Sequence, residues 1–130
     1  MKKLIPILLS ACMLTGCAGT GNITDHTYRQ ITAEEAVSMM ERESDYIILD
    51  VRRPDEFAAG HIPNAVNVPS ETIGTAEIAA LPNKDQLILV YCRSGRRSKE
   101  ASEKLVKLGY TNIVEFGGIL DWTGETVKTK

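Results

Sequence analysis

Two runs constrain this chain more than anything else in it. Tyr46-Ile47-Ile48-Leu49-Asp50-Val51 and Gln86-Leu87-Ile88-Leu89-Val90-Tyr91 are apolar almost without interruption. A strand with one wet face alternates apolar and polar residues, whereas a strand covered on both faces reads as a continuous apolar run. Parallel strands of that kind need long crossovers, and helices supply them. Thr32-Ala33-Glu34-Glu35 has the spacing of a capping box, and Ala36, Met39 and Met40 follow at helical intervals, which predicts a helix over 33–42. Pro54 opens a short helix that stops at Gly60. Ser98 to Leu108 puts Ala101, Leu105 and Leu108 on one face, with Gly109 as its cap. Shorter strands are expected at Arg29–Ile31, Ala65–Val68 and Ile113–Phe116. Residues 73–81 read as weakly helical, Gly117-Gly118 as a turn, and Ile119–Trp122 as a short terminal helix. The expected class is therefore α/β: a mostly parallel central sheet of about five strands with helices on both faces, and no internal repeat. The reactive crevice of such a sheet lies outside the carboxyl ends of its strands. Asp50 and Cys92 both fall there.

The chain has 130 residues, room for one domain and a short leader. Lys2 and Lys3 precede a mostly apolar stretch, Leu4 to Leu14, too short to span a bilayer comfortably. Leu14-Thr15-Gly16-Cys17 follows, and it resembles the bacterial lipobox, which is cleaved before its Cys. That resemblance implies a signal peptide over 1–16 and lipidation of Cys17. It further implies a polar tether over 17–28 and a folded domain over 29–130. Several acyl chains on one residue anchor stably where one chain is marginal. The expected location is the extracytoplasmic side of a bacterial membrane, cell membrane or outer membrane, as a lipoprotein. The formal net charge is −2 for the whole chain and −4 once Lys2 and Lys3 leave with the leader, which argues against a nucleic-acid partner.

Counting cysteines sharpens the question. Of the three, Cys12 leaves with the leader and Cys17 takes lipid, so Cys92 is the one thiol left, with no partner for an internal disulfide. One Cys with two His, His26 and His61, makes no plausible zinc site, and neither metal nor cofactor is expected. Either Cys92 is a small buried hydrophobe or it is there to react. Its surroundings favour reaction. Arg93-Ser94-Gly95-Arg96-Arg97-Ser98 lies between a strand and a helix N-terminus, where a tight loop turns backbone N–H groups inward as an anion nest. The helix end and the arginines add positive charge, and a thiol so placed becomes the nucleophilic thiolate more easily.

Leu49-Asp50-Val51-Arg52, Glu56-Phe57 and Gly60-His61-Ile62-Pro63-Asn64-Ala65 together resemble the rhodanese domain signature. Tyr91-Cys92-Arg93-Ser94-Gly95-Arg96-Arg97-Ser98 resembles its active-site loop, and Gly117-Gly118 with Trp122 its closing segment. The match covers roughly residues 30–127, in order. One departure is Asn64 where Gly is usual, and Asn tolerates a left-handed turn.

The resemblance implies a monomeric sulfurtransferase. Cys92 would take sulfane sulfur from a small anion such as thiosulfate, hold it as a persulfide, and pass it to a thiol or to cyanide. Amides from Arg93 through Ser98 would hold the charged sulfur, with Arg93 and Arg97 recognising the sulfonate-like end of the donor and Arg96 pointing outward. Asp50 and Arg52 would support the loop. His61 is expected to tie down a turn, Trp122 and Phe116 to be core, and Tyr91 to pack beneath the loop. Two other readings compete. A Cys-dependent phosphatase or arsenate reductase needs Arg six positions after the Cys, and here that position is Ser98. A persulfide carrier or thiol redox partner in the cell envelope would use the same Cys92 without free turnover.

Overall fold

The computed structural model describes residues 27–74 and 76–129. The leader, Cys12, Cys17 and His26 lie outside them. Five strands form one sheet: β1 (Arg29–Gln30), β2 (Tyr46–Asp50), β3 (Val66–Asn67), β4 (Leu87–Cys92) and β5 (Ile113–Gly118). Their spatial order is β1-β5-β4-β2-β3, and every pairing is parallel. The helices are α1 (Ala33–Arg42), α2 (Pro54–Ala59) and α3 (Arg96–Lys107). The two apolar runs are thus β2 and β4, adjacent at the centre of the sheet.

Side-chain alternation along β4 sets the rest. Ile88, Val90 and Cys92 join Leu49, Val51 and Ile113 against Ala101 and Leu105 of α3. Leu87, Leu89 and Tyr91 join Ile48, Val114 and Phe116 against Ala36 and Met39 of α1. Successive residues face opposite sides of a sheet, so Cys92 must face the α3 side. Asp50 pairs in register with Tyr91.

The helix ends follow their caps. Thr32 Oγ accepts from the Glu35 N–H at 3.1 Å, and the Glu35 carboxylate accepts from the Thr32 N–H at 2.8 Å, closing the predicted box. At the C-terminus of α3, the Tyr110 N–H reaches the Leu105 carbonyl at 3.1 Å and the Gly109 N–H the Val106 carbonyl at 3.0 Å. Gly109, with φ of 101°, sits where this double bond requires a left-handed residue.

Three expectations are corrected. Helix α3 begins at Arg96, two residues earlier than predicted, because Gly95 takes φ of 117° and caps it, drawing Arg96 and Arg97 into the first turn. Among the described residues of 73–81 there is no helix; a single 3-10 turn, Ser70–Thr72, precedes them. Ile73 and Leu81 are each buried in the α3-side core, so the apolar content of this span answers to tertiary packing of single residues and not to a helix. Gly117-Gly118 is no turn either. Strand β5 runs through both, and Gly118 pairs with Cys92 across a bulge.

Candidate active site

Cys92 ends β4 and is 1% exposed. It is the free cysteine of the described residues. Helix α3 starts only four residues later, and the left-handed Gly95 that caps it donates its N–H back onto Cys92 Sγ at 3.0 Å. The sulfur therefore lies at the N-terminus of a twelve-residue helix, whose unpaired N–H groups and aligned dipoles favour negative charge. On its other side Sγ lies 3.5 Å from Ser98 Oγ, in the first turn of α3.

The loop holds its shape because β5 admits it. A Cβ built on Gly118 would lie 2.0 Å from the Arg93 carbonyl oxygen, 2.3 Å from its carbon and 2.5 Å from the Ser94 nitrogen. Only glycine lets the loop backbone lie against the strand. The Leu120 N–H, just beyond, donates to the Arg93 carbonyl at 3.2 Å.

The arginines divide by partner. Arg97 donates two bonds to Glu56, at 2.7 and 3.0 Å, and both side chains are mostly covered. The Arg97 pair holds the Glu56 carboxyl well below its usual range, at about 2, despite burial acting the other way. Glu56 also accepts the Arg53 N–H at 3.0 Å and so caps α2. Arg97 is thus committed to α2, which revises the expectation that its guanidinium is offered to the donor. Arg96 is exposed and pairs with Glu100 one turn on, as its outward placement suggests. Arg93 is exposed and has no carboxylate partner among the described residues. It lines an open cleft with Arg53, Glu71, Ser94, Arg96 and Arg97.

Asp50 and Arg52 form a buried pair at 2.7 Å, but their bonds run away from the loop. Arg52 donates to the Gly60 carbonyl at 2.6 Å, and Asn67 bridges the Asp50 and Arg52 carbonyls at 3.0 and 2.9 Å. The pair clamps the segment after α2 to the end of β3. Tyr91 lies between this clamp and the aromatic core. Arg52 sits 5.8 Å from the Tyr91 ring centroid, and the Tyr91 hydroxyl accepts the Ile62 N–H at 3.1 Å. Burial, then Asp50, push the Tyr91 phenol far above its ordinary range, so it is a fixed neutral support. The aromatic series continues from Tyr91 to Phe116 at 5.5 Å and to Trp122 at 6.0 Å. His61 stacks on Phe57 at 3.8 Å, its Nδ1 donates to the Phe57 carbonyl, and its backbone bridges to Val127. None of these contacts reaches Cys92. Asn64 takes φ of 72°, the left-handed turn its residue type tolerates.

One member of the site goes unnoticed in the sequence. Glu115, 2% exposed, accepts the Ser98 hydroxyl at 2.5 Å and the Gly117 N–H at 2.9 Å through one oxygen. The signal is an acid inside the otherwise apolar Ile113–Phe116 run, and alternation along β5 aims it, like Ile113, at α3.

Comparisons with known proteins agree with this geometry. The family model described as "Rhodanese-like domain" matches residues 32–125. Thiosulfate sulfurtransferase PspE of Escherichia coli is 35% identical over 80 residues, covering 62% of this chain and 77% of that protein. The putative sulfur carrier protein YrkF of Bacillus subtilis is 33% identical over 99 residues, covering 75% of this chain and 52% of that one. The crystal structure of a rhodanese-like domain protein from Staphylococcus aureus superposes with a TM-score of 0.67 at 31% identity, covering 78% of this chain and 98% of that one. A family match over residues 32–125, with relatives alike both in sequence and in the shape of the fold, gives the assignment: the chain belongs to the rhodanese-like family.

Proposed function

We propose that the protein is a sulfurtransferase that carries sulfane sulfur on Cys92. The observation that carries this reading is the position of Sγ, at a strand end, against the Gly95 N–H and the N-terminus of α3. The Cys92 thiolate attacks the outer sulfur of a thiosulfate-like anion, the S–S bond of the donor breaks, and sulfite leaves with the electron pair. The persulfide keeps a negative outer sulfur, and the inward-turned amide and helix end favour that charge. A thiol or cyanide then takes the outer sulfur and releases the Cys92 thiolate. Arg93, the cleft arginine without a carboxylate, is the group we assign to the anionic end of the donor. Ser98 stands where a phosphatase requires arginine, and Arg97, the neighbouring candidate, is held by Glu56, which disfavours an oxyanion-encircling loop.

The test is mass spectrometry after thiosulfate treatment, with an increment of about 32 Da on the Cys92 peptide expected from one added sulfur atom. Turnover of thiosulfate and cyanide should vanish in Cys92→Ser. Persulfide formation with negligible turnover would instead identify a carrier, and rapid aryl-phosphate hydrolysis without persulfide would reject sulfur transfer. We further propose that acylated Cys17 tethers the domain outside the cytoplasm. Cys17→Ala protein that still fractionates with membranes and is normally processed would disprove the tether.

A further inference from the structure

We infer that Glu115, acting through Ser98, is a positioning residue that holds Cys92 as the thiol in the resting protein. The inference deepens the sulfur-transfer reading and rests on Cys92 being its nucleophile. Ser98 has one hydroxyl proton and three acceptors in reach: the Gly95 carbonyl at 2.9 Å, the Gly117 carbonyl at 3.3 Å and the Glu115 carboxylate at 2.5 Å. The charged, shortest acceptor takes it. A lone pair of Ser98 then faces Cys92 Sγ at 3.5 Å, a geometry in which the thiol donates and the thiolate finds no donor. The Glu115 carboxylate stands behind, no more than about 6 Å from the sulfur, the two bond lengths combined.

Two sets of groups therefore pull against each other across Sγ. The Gly95 N–H and the α3 N-terminus favour the thiolate, while the Ser98 oxygen and the Glu115 charge favour the thiol. Other charges frame the contest. Arg97 on α3 is paired with Glu56, and Asp50 at the end of β2 is paired with Arg52. Around Glu115, Gln30 of β1 donates from 3.4 Å, and Glu35 of α1, Lys99 of α3 and Asp121 line the same cleft. The Tyr28 phenol, raised by burial and then by Glu103 and Glu115, is a neutral neighbour. Persulfide formation ends the contest. The thiol yields its proton as the thiolate attacks the thiosulfate dianion, the donor S–S bond breaks, and the departing sulfite takes up that proton as hydrogen sulfite, leaving the Cys92 persulfide anion. Negative charge then sits on the outer sulfur and no longer on Sγ, the atom that faces Ser98. The pair thus penalises a bare thiolate more than a loaded persulfide.

Glu115→Gln isolates this role, because the amide oxygen can still accept from both Ser98 and Gly117 while charge is lost. The assay is iodoacetamide alkylation of the full chain across pH, read on the Cys92 peptide by mass spectrometry. Reactivity of this peptide reports the thiol whether or not sulfur transfer occurs, so a failed transfer assay leaves the test intact. The Glu115→Gln midpoint should fall. Below the wild-type midpoint, Cys92 should react about 3- to 100-fold faster, the range for a unit charge at about 6 Å between water-like and protein-like screening. A role confined to loop shape predicts the opposite sign, since a loosened nest raises the midpoint. An unchanged or raised midpoint overturns the inference. Should Glu115→Gln fail to fold, Ser98→Ala reads the same sign. Loss of the acceptor for the thiol lowers the midpoint, and an unchanged or raised value again overturns the inference.

Discussion

Glu56 is the group whose acid titration the structure connects most directly to the active-site helix, and Glu56→Gln tests that connection. Its carboxylate grips Arg97, in the first turn of α3, and caps α2 through the Arg53 N–H. Its carboxyl is lowered from 4.5 to about 2, chiefly by the Arg97 bonds. Unscreened, that lowering corresponds to about 3 kcal/mol. The Glu56 and Arg97 side chains are 17% and 22% exposed, so water screens part of the interaction and leaves about 1–2 kcal/mol. A folded value below the unfolded one gives stability that is complete above about pH 4.5 and is lost as pH falls through about 2. The wild-type advantage over Glu56→Gln should therefore be full at pH 7, shrink through pH 4 to 3, and vanish below about pH 2.

Urea unfolding followed by Trp122 fluorescence at several pH values measures that gap. At neutral pH the variant should also melt about 4–16 °C lower, at roughly 4–8 °C per kcal/mol for a domain of this size. Gln still accepts one bond from each arginine partner, so the comparison isolates charge more than shape. A gap independent of pH, or a variant as stable as wild type at pH 7, would refute the claim that the Glu56–Arg97 ion pair fastens α3 to α2.

Three further outcomes follow from the loop and the helix it opens. Arg93→Ala should raise the KM for thiosulfate about 5- to 30-fold with kcat nearly unchanged, an effect that shrinks as salt is added because the guanidinium is exposed. Arg97→Ala, by contrast, should lower the melting temperature more than it raises KM; equal KM effects for the two would show that Arg97 leaves Glu56 to meet the donor. Gly118→Ala should displace the Arg93–Ser94 backbone, cost about 1–3 kcal/mol in thermal or urea unfolding, and suppress persulfide formation on Cys92. Wild-type persulfide yield in that variant would show that the loop does not depend on the close approach.

How much of the fold and of the site is legible in the sequence depends on how local each cause is. Strands β2 and β4 were legible because burial on both faces leaves an unbroken apolar run, and the α1 box because it is closed within four residues. The span 73–81 misled because its apolar residues serve a tertiary need: Ile73 and Leu81 fill the α3-side core separately, and composition alone cannot distinguish two anchors from a helical face. Asp50 and Arg52 were expected to support the loop, yet their bonds clamp Gly60 and Asn67, a choice set by where β3 happens to end.

The arginines show the same division more sharply. Three basic side chains beside a reactive cysteine look interchangeable along a sequence, because charge counts carry no partners. Placement on α3 separates them: Arg96 and Arg97 enter the helix and find Glu100 and Glu56, while Arg93 stays in the loop without a carboxylate. The early start of α3 has the same consequence for Ser98. With Gly95 as the cap, Ser98 falls in the first turn and faces inward, beside both Cys92 and Glu115. A helix beginning at Ser98 would have had Arg97 as its cap and kept Arg96 in the loop. One left-handed glycine thus decides which cations meet solvent and which hydroxyl meets the sulfur. The electrostatic character of Cys92 is a property of that turn more than of the arginines around it.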